Sequence, residues 1–357
     1  MKKIVFIHLF NDRSGSPKVL SQVIKVAQNL GFDIETLTSS HKNGFLDNPP
    51  GVLRKIFYRR SEKKLLTLCY YLISQAILFA KCLQYRKKDA IFYINTMMPF
   101  GAALAARLIN KPVLYHVHET SITPRPLKSF LRWIIRITAS KIIFVSNYLL
   151  QAEGFDKKQQ HVIHNAIDIC AEQAPKKPSV DSFNVIMICS LKGYKGVYEF
   201  LQVAESLIKN PLFRFTLVLN ANPEEINSWF SGTAIPANVT LLPRQTDVKI
   251  FYESADLLVN FTRPNECIET FGLTILEGMS YGVPVIVPPV GGPAEIVSND
   301  CEGFLIPSYE VKKISDVIER LAGNIEQYSR LSRNAHARAK DFSLAMFEEK
   351  IAGVIDS

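Results

Sequence analysis

Glu266-Cys-Ile-Glu-Thr-Phe-Gly-Leu-Thr-Ile-Leu-Glu-Gly-Met-Ser-Tyr-Gly-Val-Pro-Val-Ile-Val287 begins in a polar loop and enters a short apolar helix near Gly272. The helix stops at Gly282, and after Pro284 the chain runs into an all-apolar strand. Glu269 falls before the helix and Glu277 inside it, so the two carboxylates have different jobs. The amides of Phe271, Gly272, Leu273 and Thr274 stand at a helix N-terminus, where unpaired N–H groups and the macrodipole favour an anion. Gly272 lets a ligand approach the backbone closely. Glu277, about a turn further on, is placed to accept hydrogen bonds from a diol such as a ribose. Two carboxylates around a phosphate-sized set of amides suggest a nucleotide-sugar site. The plainer alternative is a buried turn whose glutamates cap a helix or meet a lysine.

The interval from Glu269 to Glu277, with Phe271-Gly272 inside it and Gly282-Val-Pro-Val-Ile286 after it, resembles the signature of family 4 retaining glycosyltransferases of the GT-B fold. The resemblance implies an α/β chain of two Rossmann-like domains whose parallel sheets face an interdomain cleft. It also implies transfer of a sugar from a nucleotide sugar to an acceptor hydroxyl, with retention at the anomeric carbon. It spans the chain, densest over residues 183–307 and looser over 1–170.

The totals suit that organisation. A chain of 357 residues fits two domains of about 170 residues each. With 47% hydrophobic and 21% charged residues it has material for two cores. The six cysteines, at 69, 82, 170, 189, 267 and 301, never form C-x-x-C, which argues against zinc and a disulfide framework and fits a reducing cytoplasm. Met1–Phe10 superficially resembles a signal peptide, but its short apolar run carries His8 and meets Asn11-Asp-Arg13 with no cleavage site, so a buried first strand is expected. Charge is uneven: residues 1–170 hold 25 Lys+Arg against 10 Asp+Glu, a net of +15, while residues 171–357 hold 17 against 23, a net of −6. A basic half suggests a domain facing an anionic surface. Apolar residues interleaved with the basic ones point to a membrane rather than to nucleic acid.

Along the chain, residues 3–10 read as a strand, 11–16 as a polar turn, 18–30 as a helix ended by Gly31, and 32–38 as a strand. That is the opening of a Rossmann-like unit. Gly15 either lets this turn approach a diphosphate or acceptor, as the family's Gly-rich first loop does, or simply makes a tight turn. Residues 41–88 stand apart: 53–60 is basic and aromatic, 65–80 almost wholly apolar, and 81–88 basic again. The apolar run is shorter than the roughly twenty residues that span a bilayer. It reads as a helix buried against the sheet, with flanks that touch lipid head groups. Regular α/β alternation then runs to residue 167 and restarts at 183. The expected boundaries are an acceptor-binding domain over 1–170, a linker over 171–181 and a nucleotide-sugar domain over 182–340. In the family the last helix, here 341–357, crosses back to the first domain.

Ser190-Leu-Lys-Gly-Tyr-Lys-Gly-Val197 closes the first strand of the second domain, where basic side chains can meet a diphosphate and steady the leaving group. It is similar to the family's Arg-Leu-x-x-x-Lys-Gly: Lys195-Gly196 matches, Ser190 replaces the arginine, and Lys192 is the candidate substitute. In Leu114-Tyr-His-Val-His-Glu-Thr120, alternation puts His116 and His118 on one face of a strand end and Glu119 on the other. The resemblance places His118 by the donor sugar; a metal site or a structural pair is the alternative. Gly291 and Gly292 match the family's Gly-Gly-x-x-Glu turn, shaping a cleft wall. No Asp-x-Asp occurs, so a metal-independent donor site is expected.

The expectation is thus a hexosyl-type glycosyltransferase without a separate cofactor, using a UDP- or GDP-type donor. Glu269 and His118 lie at the sugar, Lys192, Lys195 and the amides of Phe271–Thr274 at the phosphates, and Glu277 at the ribose. The partners expected are a lipid-linked glycan acceptor of capsule, O-antigen or exopolysaccharide synthesis and an anionic membrane surface, with no nucleic acid. The enzyme is expected in the cytoplasm, peripheral at the inner face of a bacterial membrane. The rivals are a nucleotide-sugar epimerase or hydrolase using the two glutamates, and an inactive nucleotide-sugar-binding protein.

Overall fold

The computed structural model describes residues 2–59, 61–156, 158–169 and 181–356. The expected linker lies outside the described residues, apart from Asp181. The chain forms two compact units, Met1–Asn165 with Ala345–Ser357, and Ala166–Leu344.

The first unit holds a seven-stranded sheet of β1 (Lys3–Ile7), β2 (Asp33–Ser39), β3 (Val52–Ile56), β4 (Ala90–Asn95), β5 (Val113–Val117), β6 (Lys141–Phe144) and β7 (Gln159–Val162). All pairings are parallel, in the order β3-β2-β1-β4-β5-β6-β7. Strands covered on both faces read as unbroken apolar runs, as Ile4-Val-Phe-Ile7 does. Strand order reverses between β1 and β4, which makes the carboxyl ends of those two strands the place for a ligand. The C-terminal helix Leu344–Asp356 clusters with this unit, and Lys141 Nζ donates to the Val354 carbonyl at 2.9 Å.

Two expectations for residues 41–88 change. Residues 52–56, part of the stretch read only as basic and aromatic, form edge strand β3 beside β2. The apolar helix runs over Lys64–Leu83 and is buried on one side only: Tyr71, Ser74, Gln75, Leu78 and Cys82 are buried, while Leu65, Leu68, Leu72 and Ile73 are exposed. Gln75 faces inward because its Oε1 accepts the Gly101 amide at 2.9 Å from helix Phe100–Leu108.

The second unit holds β8 (Phe183–Cys189), β9 (Phe213–Leu219), β10 (Val239–Leu242), β11 (Leu257–Val259), β12 (Val285–Val287) and β13 (Gly303–Leu305). These are again parallel, in the order β10-β9-β8-β11-β12-β13. Phe183, Phe200, Phe213, Phe215, Phe261 and Tyr328 anchor its core. The reversal of order falls between β8 and β11, so the loops after these strands are the second ligand-binding position.

Candidate functional site

In the second unit the loop after β8 makes a short 3₁₀ turn over Gly193–Lys195 and reverses at Gly196, whose φ is +76°. A Cβ on Gly196 would lie 2.2 Å from the Phe261 carbonyl oxygen, so glycine is what lets this turn press against the loop after β11. The Arg263 amide ties the two loops by donating to the Tyr194 carbonyl at 2.8 Å. Lys195 is thereby delivered to Glu269, with Nζ 2.5 Å from Oε2 and both side chains about four-fifths buried (19% and 20% exposed). Thr262 Oγ1 lies 3.5 Å from the same ammonium and donates to Asn260 Oδ1 at 2.8 Å.

Burial pushes the Glu269 carboxyl upward, but the Lys195 charge and hydrogen bonds from Lys195, Asn260 and Thr262 outweigh it and hold the group below its ordinary 4.5. Burial likewise pulls Lys195 downward, and Glu269 overcomes that to hold the ammonium above 10.5. Both groups are charged at neutral pH. Cys189, close by, is pushed up to about 12 by burial and stays a thiol.

Glycines 291 and 292 act on Glu269 directly. Gly291 has φ +76° and packs against the Glu269 carbonyl, which accepts the Gly292 amide at 2.9 Å; a Cβ on Gly292 would sit 2.3 Å from Phe271 Cα. They hold the 269–271 loop in place. Gly272, with φ +110°, then turns the chain into helix Leu273–Ser280. The amides of Gly272, Leu273 and Thr274 donate to no acceptor among the described residues, and Phe271 is buried below them. On this helix Glu277 is oriented by Tyr252, whose Oη donates to Oε2 at 2.7 Å. Lys192 is exposed at the rim, with its amide bonded to the Ser190 carbonyl at 2.8 Å. The structure therefore brings Lys195, Glu269 and the 272–274 amides to one end of the sheet, with Glu277 further along the same helix.

In the first unit His118 follows β5, and its Nε2–H donates to Asn95 Oδ1 at 2.8 Å. The Asn95 amide in turn donates to His8 Nδ1 and the Ser16 carbonyl, each at 3.1 Å. His116 and His118 lie side by side, ring centroids 4.2 Å apart, and Tyr93 Oη lies 2.8 Å from His116 Nδ1. Burial keeps both rings neutral: His116 is lowered to about 3, and His118 is held well below 6.5 by burial and then by its neighbouring histidines. Glu119 accepts the Met97 amide at 2.8 Å and the His118 amide at 3.2 Å, and burial raises it to about 7. Thr96, at the carboxyl end of β4, has φ +73°, a strained conformation for a β-branched residue. Gly15 is the exposed first residue of helix Gly15–Asn29, without a positive φ. Among the described residues no group of three or more His, Cys, Asp or Glu is arranged to hold a metal ion.

Sequence reasoning missed Thr262, Arg263, Tyr252 and Asn95. Arg263 grips Glu199 through two nitrogens at 2.6 and 3.0 Å and Glu266 at 2.8 Å, stiffening the loop that carries Glu269. The available signal was position: Thr262-Arg263 and Asn95 each stand at the carboxyl end of a strand beside a point of reversal.

The chain is similar to known glycosyltransferases in sequence and in fold. Residues 171–338 match the family model "Glycosyl transferases group 1", and residues 13–170 match "Glycosyltransferase Family 4". An uncharacterized glycosyltransferase of Haemophilus influenzae is 21% identical over 365 aligned positions, covering 99% of this chain and 100% of the relative. The Escherichia coli UDP-Gal:alpha-D-GlcNAc-diphosphoundecaprenol alpha-1,3-galactosyltransferase is 23% identical, with 89% and 87% of the two chains covered. Among solved structures, Anabaena Alr3699/HepE in complex with UDP and glucose superposes with a TM-score of 0.82 over 100% of both chains at 20% identity.

Proposed function

Because this chain belongs to glycosyltransferase family 4 and has the GT-B fold, we propose that it is a retaining hexosyltransferase that takes a sugar from a UDP- or GDP-type donor to an acceptor hydroxyl. The observation that carries the proposal is the Lys195–Glu269 pair beside the open amides of Gly272, Leu273 and Thr274, at the point where the second sheet reverses. The diphosphate is met by Lys195, by Lys192 from the rim and by the amides around Phe271–Thr274, in place of a metal ion. Glu277 receives the ribose hydroxyls. Glu269 orients the sugar and steadies positive charge at the anomeric carbon as its bond to the phosphate oxygen breaks. The leaving phosphate oxygen takes the acceptor's proton, so no separate base is needed. In the first unit His118, neutral and held by Asn95, is assigned to the sugar as a hydrogen-bonding group, and Gly15 offers backbone to the donor or acceptor.

The acceptor is proposed to be a lipid-linked glycan of surface-polysaccharide synthesis such as capsule or lipopolysaccharide, met by a peripheral enzyme at the inner face of the cytoplasmic membrane. Support comes from the basic first half and from the E. coli relative, whose name specifies a diphosphoundecaprenol acceptor. Each glutamate has its own partner, Lys195 for Glu269 and Tyr252 for Glu277, which favours separate roles over a hydrolytic carboxylate pair. Thermal stabilisation by a panel of UDP- and GDP-sugars, followed by transfer assays with NMR of the anomeric product, tests the reading. Glu269→Ala is expected to keep donor binding and lose transfer. Donor turnover without acceptor, or inversion at the anomeric carbon, refutes it.

A further inference from the structure

Helix Lys64–Leu83 carries apolar residues on both its buried and its exposed face. Its inner face carries Tyr71, Ser74, Gln75, Leu78 and Cys82, with Ser74 and Gln75 buried to 0% and 2% exposure. The polar groups are satisfied there: Ser74 Oγ donates to the Tyr71 carbonyl at 2.6 Å, and Gln75 binds the Gly101 amide. The outer face is leucine-rich, with Leu65 75%, Leu68 44%, Leu72 51% and Ile73 48% exposed, at the three- and four-residue spacing of one helical stripe. A soluble surface helix turns charged and polar residues to its outer face instead.

The first helix does not stand alone. Helix Phe100–Leu108 packs against its inner side, with Tyr71 and Phe100 rings 5.8 Å apart, and helix Arg125–Thr138 is next, with Phe100 and Phe130 rings 5.1 Å apart. On that third helix Phe130 and Trp133 are exposed at 39% and 52%. Exposed basic residues edge this surface: Lys55 and Arg59 just before the first helix, Lys63 at its start, and Arg125 at the start of the third. Apolar side chains flanked by cations, with a tryptophan among them, match the layered chemistry of an anionic lipid interface.

We infer that the outer faces of Lys64–Leu83 and Arg125–Thr138 form the surface by which this enzyme lies on an anionic bilayer, with Leu65, Leu68, Leu72 and Trp133 entering the acyl boundary. This names the part of the molecule responsible for the membrane contact and rests on the lipid-linked acceptor reading above. The Leu65–Leu83 stretch of this helix is long and apolar enough to cross a membrane, and little of it is buried in the protein. Its inner face is nevertheless fastened to the unit through Gln75, and a Cβ on Gly101 would come within 2.1 Å of the Gln75 carbonyl. The helix therefore lies in the interface and does not cross it.

The chain has two tryptophans, so Trp229→Phe leaves Trp133 as the sole reporter. Its emission is expected to move to the blue on phosphatidylglycerol/phosphatidylethanolamine vesicles, to be quenched by brominated acyl chains, and to respond weakly to phosphatidylcholine alone. Added salt should weaken the binding. The triple variant Leu65→Gln, Leu68→Gln, Leu72→Gln should lower partitioning by about ten-fold or more, with unchanged melting and unchanged stabilisation by nucleotide sugar. The latter readout fails by itself if the transferase reading is wrong, whereas partitioning does not depend on it. No blue shift on anionic vesicles overturns the inference. So does a wild-type dimer, in the absence of lipid, that the triple variant turns into a monomer, because the surface then belongs to a second copy. Protein that stays with vesicles after alkaline carbonate washing overturns it in favour of a spanning helix.

Discussion

Replacing Gly196 by alanine tests whether Lys195 works because of where its turn is held. The new Cβ would stand 2.2 Å from the Phe261 carbonyl oxygen, 1.2 Å short of the 3.4 Å at which ordinary contact begins. That oxygen belongs to backbone leading out of β11 and cannot rotate aside, so the turn must retreat. The left-handed conformation at φ +76° costs a residue with a Cβ roughly 1–2 kcal/mol, and forced displacement in a packed region adds about 1–2 kcal/mol more. A total of about 2–4 kcal/mol lowers the melting temperature of a unit this size by roughly 4–16 °C. The kinetic effect should be larger than the thermal one, because moving a charged group by about 1 Å is worth on the order of 100-fold in rate. Steady-state transfer at saturating donor, with melting curves on the same preparation, measures both. Gly193→Ala is the control, since a Cβ there meets nothing within 4 Å, and it should fall within about 0.5 kcal/mol of wild type. Equal effects at the two glycines, or wild-type rate and melting in Gly196→Ala, would refute the reasoning.

The Lys195–Glu269 pair predicts a pH dependence. With its carboxyl held below 4.5, Glu269 stabilises the second unit above that value and loses the contribution as pH falls through the lowered one; Lys195, held above 10.5, contributes below that value and loses it as pH climbs through the raised one. Lys195→Met should remove both limbs and leave Glu269 titrating above 4.5, as NMR of the carboxyl carbon would show. Tyr252→Phe removes the hydrogen bond to Glu277 and should cost about 1 kcal/mol of stability. It should raise the donor KM several-fold with kcat nearly unchanged, because a ribose contact is shared by ground and transition states. In the first unit Glu153 is fully buried between Lys128 and Arg132, so Glu153→Ala strands two cations and should destabilise the unit by roughly 3–5 kcal/mol in denaturant melts.

How much of this was written legibly in the chain depends on whether a residue's neighbours come from nearby in sequence. The strands of the second unit were readable because each is a short apolar run between turns, and Gly272 marked its helix start because a positive φ is a local demand. Lys195 and Glu269 were both singled out, yet nothing local says that they touch across 74 positions; that follows only once β8 and β11 are neighbours. The glycines at 291 and 292 read as shaping a wall, and what they do is hold the Glu269 loop from the loop that follows β12. Strand β3 was overlooked because an edge strand lets Arg54 and Lys55 reach water, which erases the apolar signal that marked the central strands. The helix Lys64–Leu83 misled for a complementary reason. Its composition tells how much apolar surface it carries but not which side the fold consumes, and the side consumed includes two polar residues, Ser74 and Gln75, beside Tyr71, Leu78 and Cys82. With Gln75 bonded to the Gly101 amide and Tyr71, Leu78 and Cys82 packed beside it, the geometry of a helix turns Leu65, Leu68 and Leu72 outward, so which residues the fold takes inward decides what the helix presents to its surroundings.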